Sequence, residues 1–316
     1  LLSKGLKVRA LTRRTTKSRS LEGLDVEQVY GELSDKESLR AGTAGAKYVF
    51  HVAADYRIWV SNPAEMYAAN VDGTINVIEA AAAAGVEKIV YCSSVAAIRP
   101  PDGRVPANEE SHYGSDEEVI SDYKKSKYLA ERAALEKAKR GAPVVIVNPA
   151  APIGPLDSKP TPTGKVVVDF LNGRIPSYID TGLNVVHVAD VAEGHWLAAL
   201  KGRIGERYIL GGENLTLKQL LDLLAESTGL PGPSFKTPYA VAYLFGALDT
   251  ARARMLGGEP LAPLDAVRMA KHYMWFDSSK AKRELGFTTR PAREALKESA
   301  DWFLANGYGP KKAVAA

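Results

Sequence analysis

Short apolar runs separated by helix-length segments constrain this chain more than any other feature. Residues 7–11, 26–30, 48–52, 88–92 and 144–147 each read as a strand. Helical patterns cover 70–84 and 121–140, and Gly85 and Gly141 stand where those helices should stop. A run that is apolar throughout, rather than alternating, belongs to a strand covered on both faces, as in a parallel sheet layered between helices. The pattern therefore predicts an α/β doubly wound parallel sheet.

Beyond Pro149 the texture changes. Residues 149–164 hold five prolines and two glycines, which predicts a long irregular connection, commonly a functional one. One more strand is expected at 184–188, a helix at 189–200, a short strand at 208–210 and a helix at 217–227. Thr216 and Gln219 have capping-box spacing at the start of that helix. The remainder reads as helices split by Gly and Pro. These readings divide the chain into a dinucleotide-binding unit of Rossmann type at 1–150, to which 184–200 return, and a smaller, mostly helical substrate lobe at 151–183 and 201–316. Residues 1–5 look like the last turn of a helix and its glycine stop. In a doubly wound fold that helix follows a central strand and a Gly-rich turn holding the pyrophosphate. The expectation is that roughly twenty further residues precede Leu1 in the natural protein.

Composition narrows the function classes. With 316 residues and an apolar share of 46%, a sizeable core is expected. Lys plus Arg number 41 against 37 Asp plus Glu, a small excess that makes no case for nucleic acid. The single cysteine, Cys92, sits in an apolar run and reads as a buried strand residue; no internal disulfide can form. The five histidines pair with no cysteine, so no metal is expected. No stretch is long and apolar enough to span a bilayer, and a cytoplasmic enzyme is the default reading. The pattern 239–256 is apolar along one face (Val241, Leu244, Phe245, Leu248) and is expected to pack on the second lobe. A peripheral membrane or partner contact, including a homodimer, is the alternative.

The strongest chemical signal is Tyr123 and Lys127, four residues apart and so on one face of a helix. A phenol with an ordinary pKa of about 10 is a poor acid near neutrality, and a neighbouring ammonium is expected to lower it. The tuned phenol could then exchange a proton with a carbonyl or alcohol during hydride transfer. Spacing alone is weak evidence, since Tyr308 and Lys312 repeat it across Pro310, where no regular helix can form. Position is what favours Tyr123. The strand 88–92 ends in Ser93 and Ser94, at the carboxyl edge where ligands bind in such sheets. A hydroxyl there can orient the reacting oxygen, and Ser94 is the expected partner. After the strand 7–11 come Arg13 and Arg14, with Lys17 close behind and no acid. Guanidinium groups suit the 2′-phosphate of NADP, whereas NAD would call for a carboxylate. Tyr56, Arg57, Trp59, Thr163, Lys165 and His187 are candidate substrate contacts. His51 reads as a strand residue rather than a base.

Ser94, Tyr123 and Lys127 in this order resemble the triad of extended short-chain dehydrogenases/reductases. Residues 50–54 (FHVAA), 70–74 (NVDGT), Asn148-Pro149 with Gly154-Pro155, and 187–192 (HVADVA) agree with it along essentially the whole chain. In texture the sequence is similar to dihydroflavonol 4-reductase-like proteins, and among them to the hopanoid-associated sugar epimerase group. The resemblance implies that Glu32 and Leu33 flank the adenine, that Val52, Ala53 and Ala54 let the backbone approach the cofactor, and that the stretch from Pro149 to Ile153 lies beside the nicotinamide. It also implies one of two activities. In the first, favoured by the arginine pair, an oxidoreductase moves hydride between NADP(H) and a ketone. In the second, a sugar epimerase or dehydratase cycles its dinucleotide without net loss. A dinucleotide-binding sensor without turnover is the reading from another class, and the intact triad speaks against it.

Overall fold

The computed structural model describes residues 1–14, 21–100 and 102–310. Its strands are β1 (Arg9–Thr12), β2 (Glu27–Tyr30), β3 (Tyr48–His51), β4 (Lys88–Cys92), β5 (Val144–Pro149), β6 (Ala151–Ile153), β7 (Ser177–Tyr178), β8 (Gly182–His187), β9 (Arg207–Leu210), β10 (Glu213–Thr216), β11 (Phe235–Lys236) and β12 (Tyr273–Met274). Its α-helices are α1 (Lys36–Thr43), α2 (Pro63–Tyr67), α3 (Gly73–Ala83), α4 (Asp122–Lys139), α5 (Pro162–Leu171), α6 (Val188–Lys201), α7 (Leu217–Thr228), α8 (Tyr239–Leu256), α9 (Leu264–Met269), α10 (Ser279–Leu285) and α11 (Ala292–Ala305).

The doubly wound expectation holds. Strands β3, β4, β5 and β9 form one parallel sheet in that order, and β1 and β2 form a second parallel pair. Among the described residues no ladder joins β1 to β3. Side chains alternate across the main sheet with the strand's period of two. Ile89, Tyr91, Val144 and Ile146 face Ile78 of α3 and Ala130, Ala134 and Ala138 of α4. Val90, Val145 and Val147 face Val191, Ala198 and Ala199 of α6. Alanine along α4 lets that helix lie close on the sheet, which fixes the height of everything it carries.

Three expectations are corrected. The connection after Pro149 is not irregular throughout, because β6 runs parallel to β8. Strand β8 does not join the main sheet: β10, β8 and β12 form a separate sheet with β6, and only α6 packs back on β4 and β5. Conversely β9, read as part of the lobe, pairs with β5. The polar Asn184 explains the first reassignment. Its amide donates to the Phe276 carbonyl (3.1 Å) and Asn214 Oδ1 (2.7 Å), ties that only the second sheet offers. Tyr208, Ile209 and Leu210 are fully buried, which suits β9 to the covered parallel sheet.

The lobe has its own core, in which Val167, Phe170, Leu221, Leu224, Leu296 and Phe303 meet. The capping box at Thr216 and Gln219 is formed. Helix α8 departs from expectation: Val241, Leu244, Phe245 and Leu248 point outward, 54–64% exposed, and the helix buries Gly246, Asp249, Thr250 and Ala253 instead. Gly246 lies against α9 at a distance where a side chain would press on Val267 and the Ala262 carbonyl, so the small residues choose the packed face. No described helix is long and apolar enough to cross a membrane.

Candidate active site

The carboxyl ends of β3, β4 and β5 and the first turns of α4 converge, and the triad read from the sequence lies among them. Helix α4 starts at Ser121, whose hydroxyl accepts from the Lys124 backbone N–H (3.3 Å). Ser121 has φ 77°, a left-handed value that a serine adopts only where the surroundings hold it. That turn delivers Tyr123 to the second position of α4 and Lys127 one turn later.

Lys127 is 3% exposed; its ammonium donates to the Cys92 carbonyl (2.9 Å) and lies 5.1 Å from the centre of the Tyr91 ring. Burial holds this ammonium below the usual lysine range. Ser94 follows β4 and caps a short 3₁₀ turn, Val95–Ala97, with its hydroxyl accepting from the Ala96 N–H (3.1 Å). Its own proton is thus free to be donated. The Tyr123 phenol is pushed up by burial, and the facing Ser94 hydroxyl pulls it part of the way back. The expected lowering by Lys127 is not found: desolvation of the phenol is the larger influence.

Two asparagines that the sequence reading did not assign to the site hold it together. Helices α2 and α3 are joined through a π-helical turn, Ala68–Asp72, a feature that often marks functional positions. Its Asn70 is 1% exposed. The amide donates to the Asp55 carbonyl (2.9 Å) and Ser126 Oγ (2.9 Å), and its oxygen accepts from the Asp55 N–H (2.7 Å). The loop after β3 is thereby tied to α4 beside Tyr123. Asn148, at the end of β5, donates to the Ser94 carbonyl (2.9 Å) and to Glu131 Oε2 (2.5 Å). Glu131, one turn beyond Lys127, pairs with Arg207 at 2.9 Å, the side chains being 3% and 11% exposed. Asparagines near strand ends are a legible signal; the Glu131–Arg207 pair spans 76 residues of sequence and left none.

Residues 1–211 match the model of the NAD dependent epimerase/dehydratase family. A cyanobacterial relative from Synechocystis sp., named "Putative dihydroflavonol 4-reductase", is 42% identical over 98% of this chain and 90% of its own length. "Sterol demethylase protein B" from Methylococcus capsulatus is 35% identical over 97% of this chain and 94% of its own length. The solved structure of gox2253 superposes with a TM-score of 0.87 at 44% identity, covering 98% of this chain and 93% of that one. The chain belongs to the NAD dependent epimerase/dehydratase family. It is an NAD(P)-dependent enzyme of the extended short-chain type, and its relatives are named as reductases as well as epimerases.

Within this family member the remaining candidates lie as follows. Arg13 and Arg14 are exposed after β1, Arg14 stacking over the Tyr30 ring at 4.9 Å; Lys17 lies outside the described residues. Glu32 is exposed after β2, and Leu33 packs where a Cβ on Gly73 would meet its own Cβ at 2.9 Å, so α3 needs glycine at its start. Val52, 58% exposed, and Ala53 present an open strand end, with Ala54 half-buried. Pro149 is buried, and the Ile153 side chain lies in the lobe core, which leaves its backbone alone for a ligand.

Asp157 acts on both Tyr56 and the segment that carries Thr163. Burial and the Asp157 and Asp55 charges push the Tyr56 phenol up, while Asp157 accepts from Thr161, whose hydroxyl is 3.2 Å from that of Thr163. Arg57 forms a forked pair with Asp55 (3.0 and 2.5 Å). His187 is corrected. Its Nδ1 accepts from the Ala189 N–H (3.0 Å), capping α6, so the proton sits on Nε2, which faces Glu298 at 3.0 Å. At 1% exposure neither nitrogen is free for a substrate.

His51 is 4% exposed, stacked on Tyr91 and bonded through Nε2 to Thr74 Oγ1 (3.0 Å). Burial, and then the Lys127 charge, hold its imidazole down at about 3. The folded protein therefore refuses a proton that the unfolded chain accepts below about 6.5. The stability that neutral His51 contributes is present above that value and is lost as pH falls toward about 3, at up to about 1.4 kcal/mol per pH unit. Urea unfolding at stepped pH should show this slope between about pH 6 and about pH 4, and His51→Gln should flatten it. An unchanged slope in the variant would rule the assignment out.

Proposed function

We propose that this enzyme is an NADP(H)-dependent reductase of a ketone substrate, with Ser94, Tyr123 and Lys127 as its catalytic residues. The observation that carries the reading is the Tyr123 phenol, half-buried and facing the Ser94 hydroxyl, with the Lys127 ammonium fixed at the end of β4. The dinucleotide, when bound, supplies the hydride. A phenol whose proton affinity is raised by burial stays protonated across neutral pH, which suits it to give that proton to a developing alkoxide. Ser94 donates its free hydroxyl proton to the substrate oxygen and aims it at Tyr123. Lys127 holds a fixed positive charge beside the reacting centre and is placed to bind the ribose.

The residues present suit a dinucleotide. Val52 and Ala53 are open at the end of β3, and two buried polar atoms without protein partners, Ser93 Oγ and Asn148 Oδ1, lie at the ends of β4 and β5. The division of labour we assign is binding by β1–β5, α3 and α4, with the second sheet and its helices closing over the substrate. Tyr56 and Thr163 are the substrate contacts in this reading.

Arg13 and Arg14 are assigned to the 2′-phosphate. In the double variant Arg13→Glu/Arg14→Ser, KM for NADPH should rise by about ten- to a hundredfold relative to KM for NADH, the worth of one or two charge-assisted hydrogen bonds. Equal changes for both cofactors would exclude the assignment. The activity itself is tested by following NADPH absorbance against substrate consumption. Loss of one NADPH per ketone supports the reductase; conversion without loss of NADPH would replace it with an epimerase.

A further inference from the structure

A cavity of about 520 Å³ adjoins Glu131, Arg132 and Lys280 at the start of β9, away from the carboxyl ends of the strands. Its cationic side chains are already paired: Arg207 with Glu131, Arg132 with Asp116, Lys280 with Glu206. A smaller cavity of about 290 Å³ is different. Its walls come from the chain just past Ser94 (Arg99, Pro100, Asp102), from Tyr113, Glu118 and Ile120, from Lys124, the residue after Tyr123, and from His272.

Lys124 is 5% exposed, yet among the described residues no carboxylate lies within ion-pair distance of it. Its ammonium reaches only the Met274 sulfur, at 3.5 Å. A buried ammonium without an anion is costly, and burial alone draws Lys124 down to about 8. The two carboxylates in the wall are committed elsewhere. Asp102 pairs with Arg99 (2.9 Å), and Glu118 accepts from the Gly114 N–H (3.1 Å). The half-buried His272 is held below its usual range by burial first, then by the charges of Lys124 and Lys271, against an opposing pull from Asp102. Tyr113 and Ile120 give the rest of the wall an apolar surface. The volume corresponds to about ten water-sized groups.

We propose that this cavity binds a compact organic acid, whose carboxylate or phosphate group pairs with Lys124 Nζ while its apolar body packs on Tyr113, Ile120 and Pro100. Among the described residues Lys124 has no carboxylate partner, the cavity has room for an acid with a ring or short chain attached, and it stands one residue from the Tyr123 that the proposed reaction uses. Binding here requires no turnover, so it stands or falls separately from the reductase reading.

Calorimetric titration with benzoate, and with benzamide as the uncharged probe of the same shape, tests it. Benzoate should bind the wild-type protein in the millimolar range or tighter, and benzamide at least about tenfold more weakly. Lys124→Met, which fits beside Met274, should weaken benzoate by about ten- to a hundredfold, and Lys124→Arg should retain it. Equal benzoate affinity in wild type and Lys124→Met, equal affinity for benzoate and benzamide, or no benzoate binding by the wild type would each overturn the proposal. The wild-type comparison keeps the test open should the methionine variant not fold. Phenyl phosphate in place of benzoate tells which anionic head the site prefers. Inhibition kinetics then separate the sources: competition with the ketone assigns the acid group to the substrate, and a change in kcat at constant KM assigns it to a separate regulator.

Discussion

Tyr123→Phe should lower kcat for ketone reduction by about 10²- to 10⁴-fold, the usual worth of a positioned general acid, while the variant stays folded. Phenylalanine fills the same space, and among the described residues no hydrogen bond depends on the phenol beyond the one facing Ser94. Loss of activity therefore reports on proton donation and not on packing. The pH profile adds a second check. Burial raises the phenol above its ordinary range, and a raised pKa keeps the acid form in place through neutrality; the reduction rate should be flat there and fall only as pH climbs through the phenol's own titration. Ser94 pulls in the opposite direction, so Ser94→Ala should move that alkaline limb further up as well as reduce kcat. A Tyr123→Phe enzyme that keeps more than about a tenth of wild-type kcat would remove Tyr123 from the mechanism.

The parallel core was legible because burial on both faces leaves no alternation: the run Ile89-Val90-Tyr91 reads as a covered strand, and α4 ends at Lys139 with Arg140 as its cap and Gly141 beyond it. Tyr123, Lys127 and Ser94 were legible because one helix turn and one strand end are local geometry. What spacing could not convey was where the Lys127 charge would go. Its bond to the Cys92 carbonyl depends on β4 lying under α4, a tertiary fact, and so does the burial that turned the expected lowering of the Tyr123 pKa into a rise. The same holds for β8. Its apolar residues read as one more strand of the main sheet, and Asn184, buried among them, carried the contrary information only once Asn214 and Phe276 were seen beside it. His187 looked available because a histidine opening a helix after a strand is also how ligand-binding residues are placed. The backbone N–H of Ala189 claimed it first. Exposure of Val241, Leu244, Phe245 and Leu248 ran against pattern because the smaller residues of α8 pack more closely on α9.

Arg207→Met should destabilise the protein by about 3–5 kcal/mol, through a group that touches neither cofactor nor substrate. Glu131 is 2% exposed and has two partners, Arg207 on one oxygen and the Asn148 amide on the other. Methionine fills much of the arginine's volume but leaves the carboxylate buried with one neutral donor, and the uncompensated charge, not the lost contact, accounts for most of the cost. The double variant Glu131→Gln/Arg207→Met removes the charge as well and should recover more than half of the loss, a coupling that two independent sites would not show. Urea midpoints of the three variants measure it. A single-variant loss below about 1 kcal/mol, or a double variant no more stable than Arg207→Met, would mean that the pair is an incidental contact. The effect should also reach the chemistry. Asn148 bonds both Glu131 and the Ser94 carbonyl, so a carboxylate drawn toward solvent loosens the turn that aims Ser94 at Tyr123. In the folded fraction of Arg207→Met, kcat should fall with KM for NADPH little changed, and Glu131→Gln in the same background should restore part of it, because a neutral amide can stay in place without its cation.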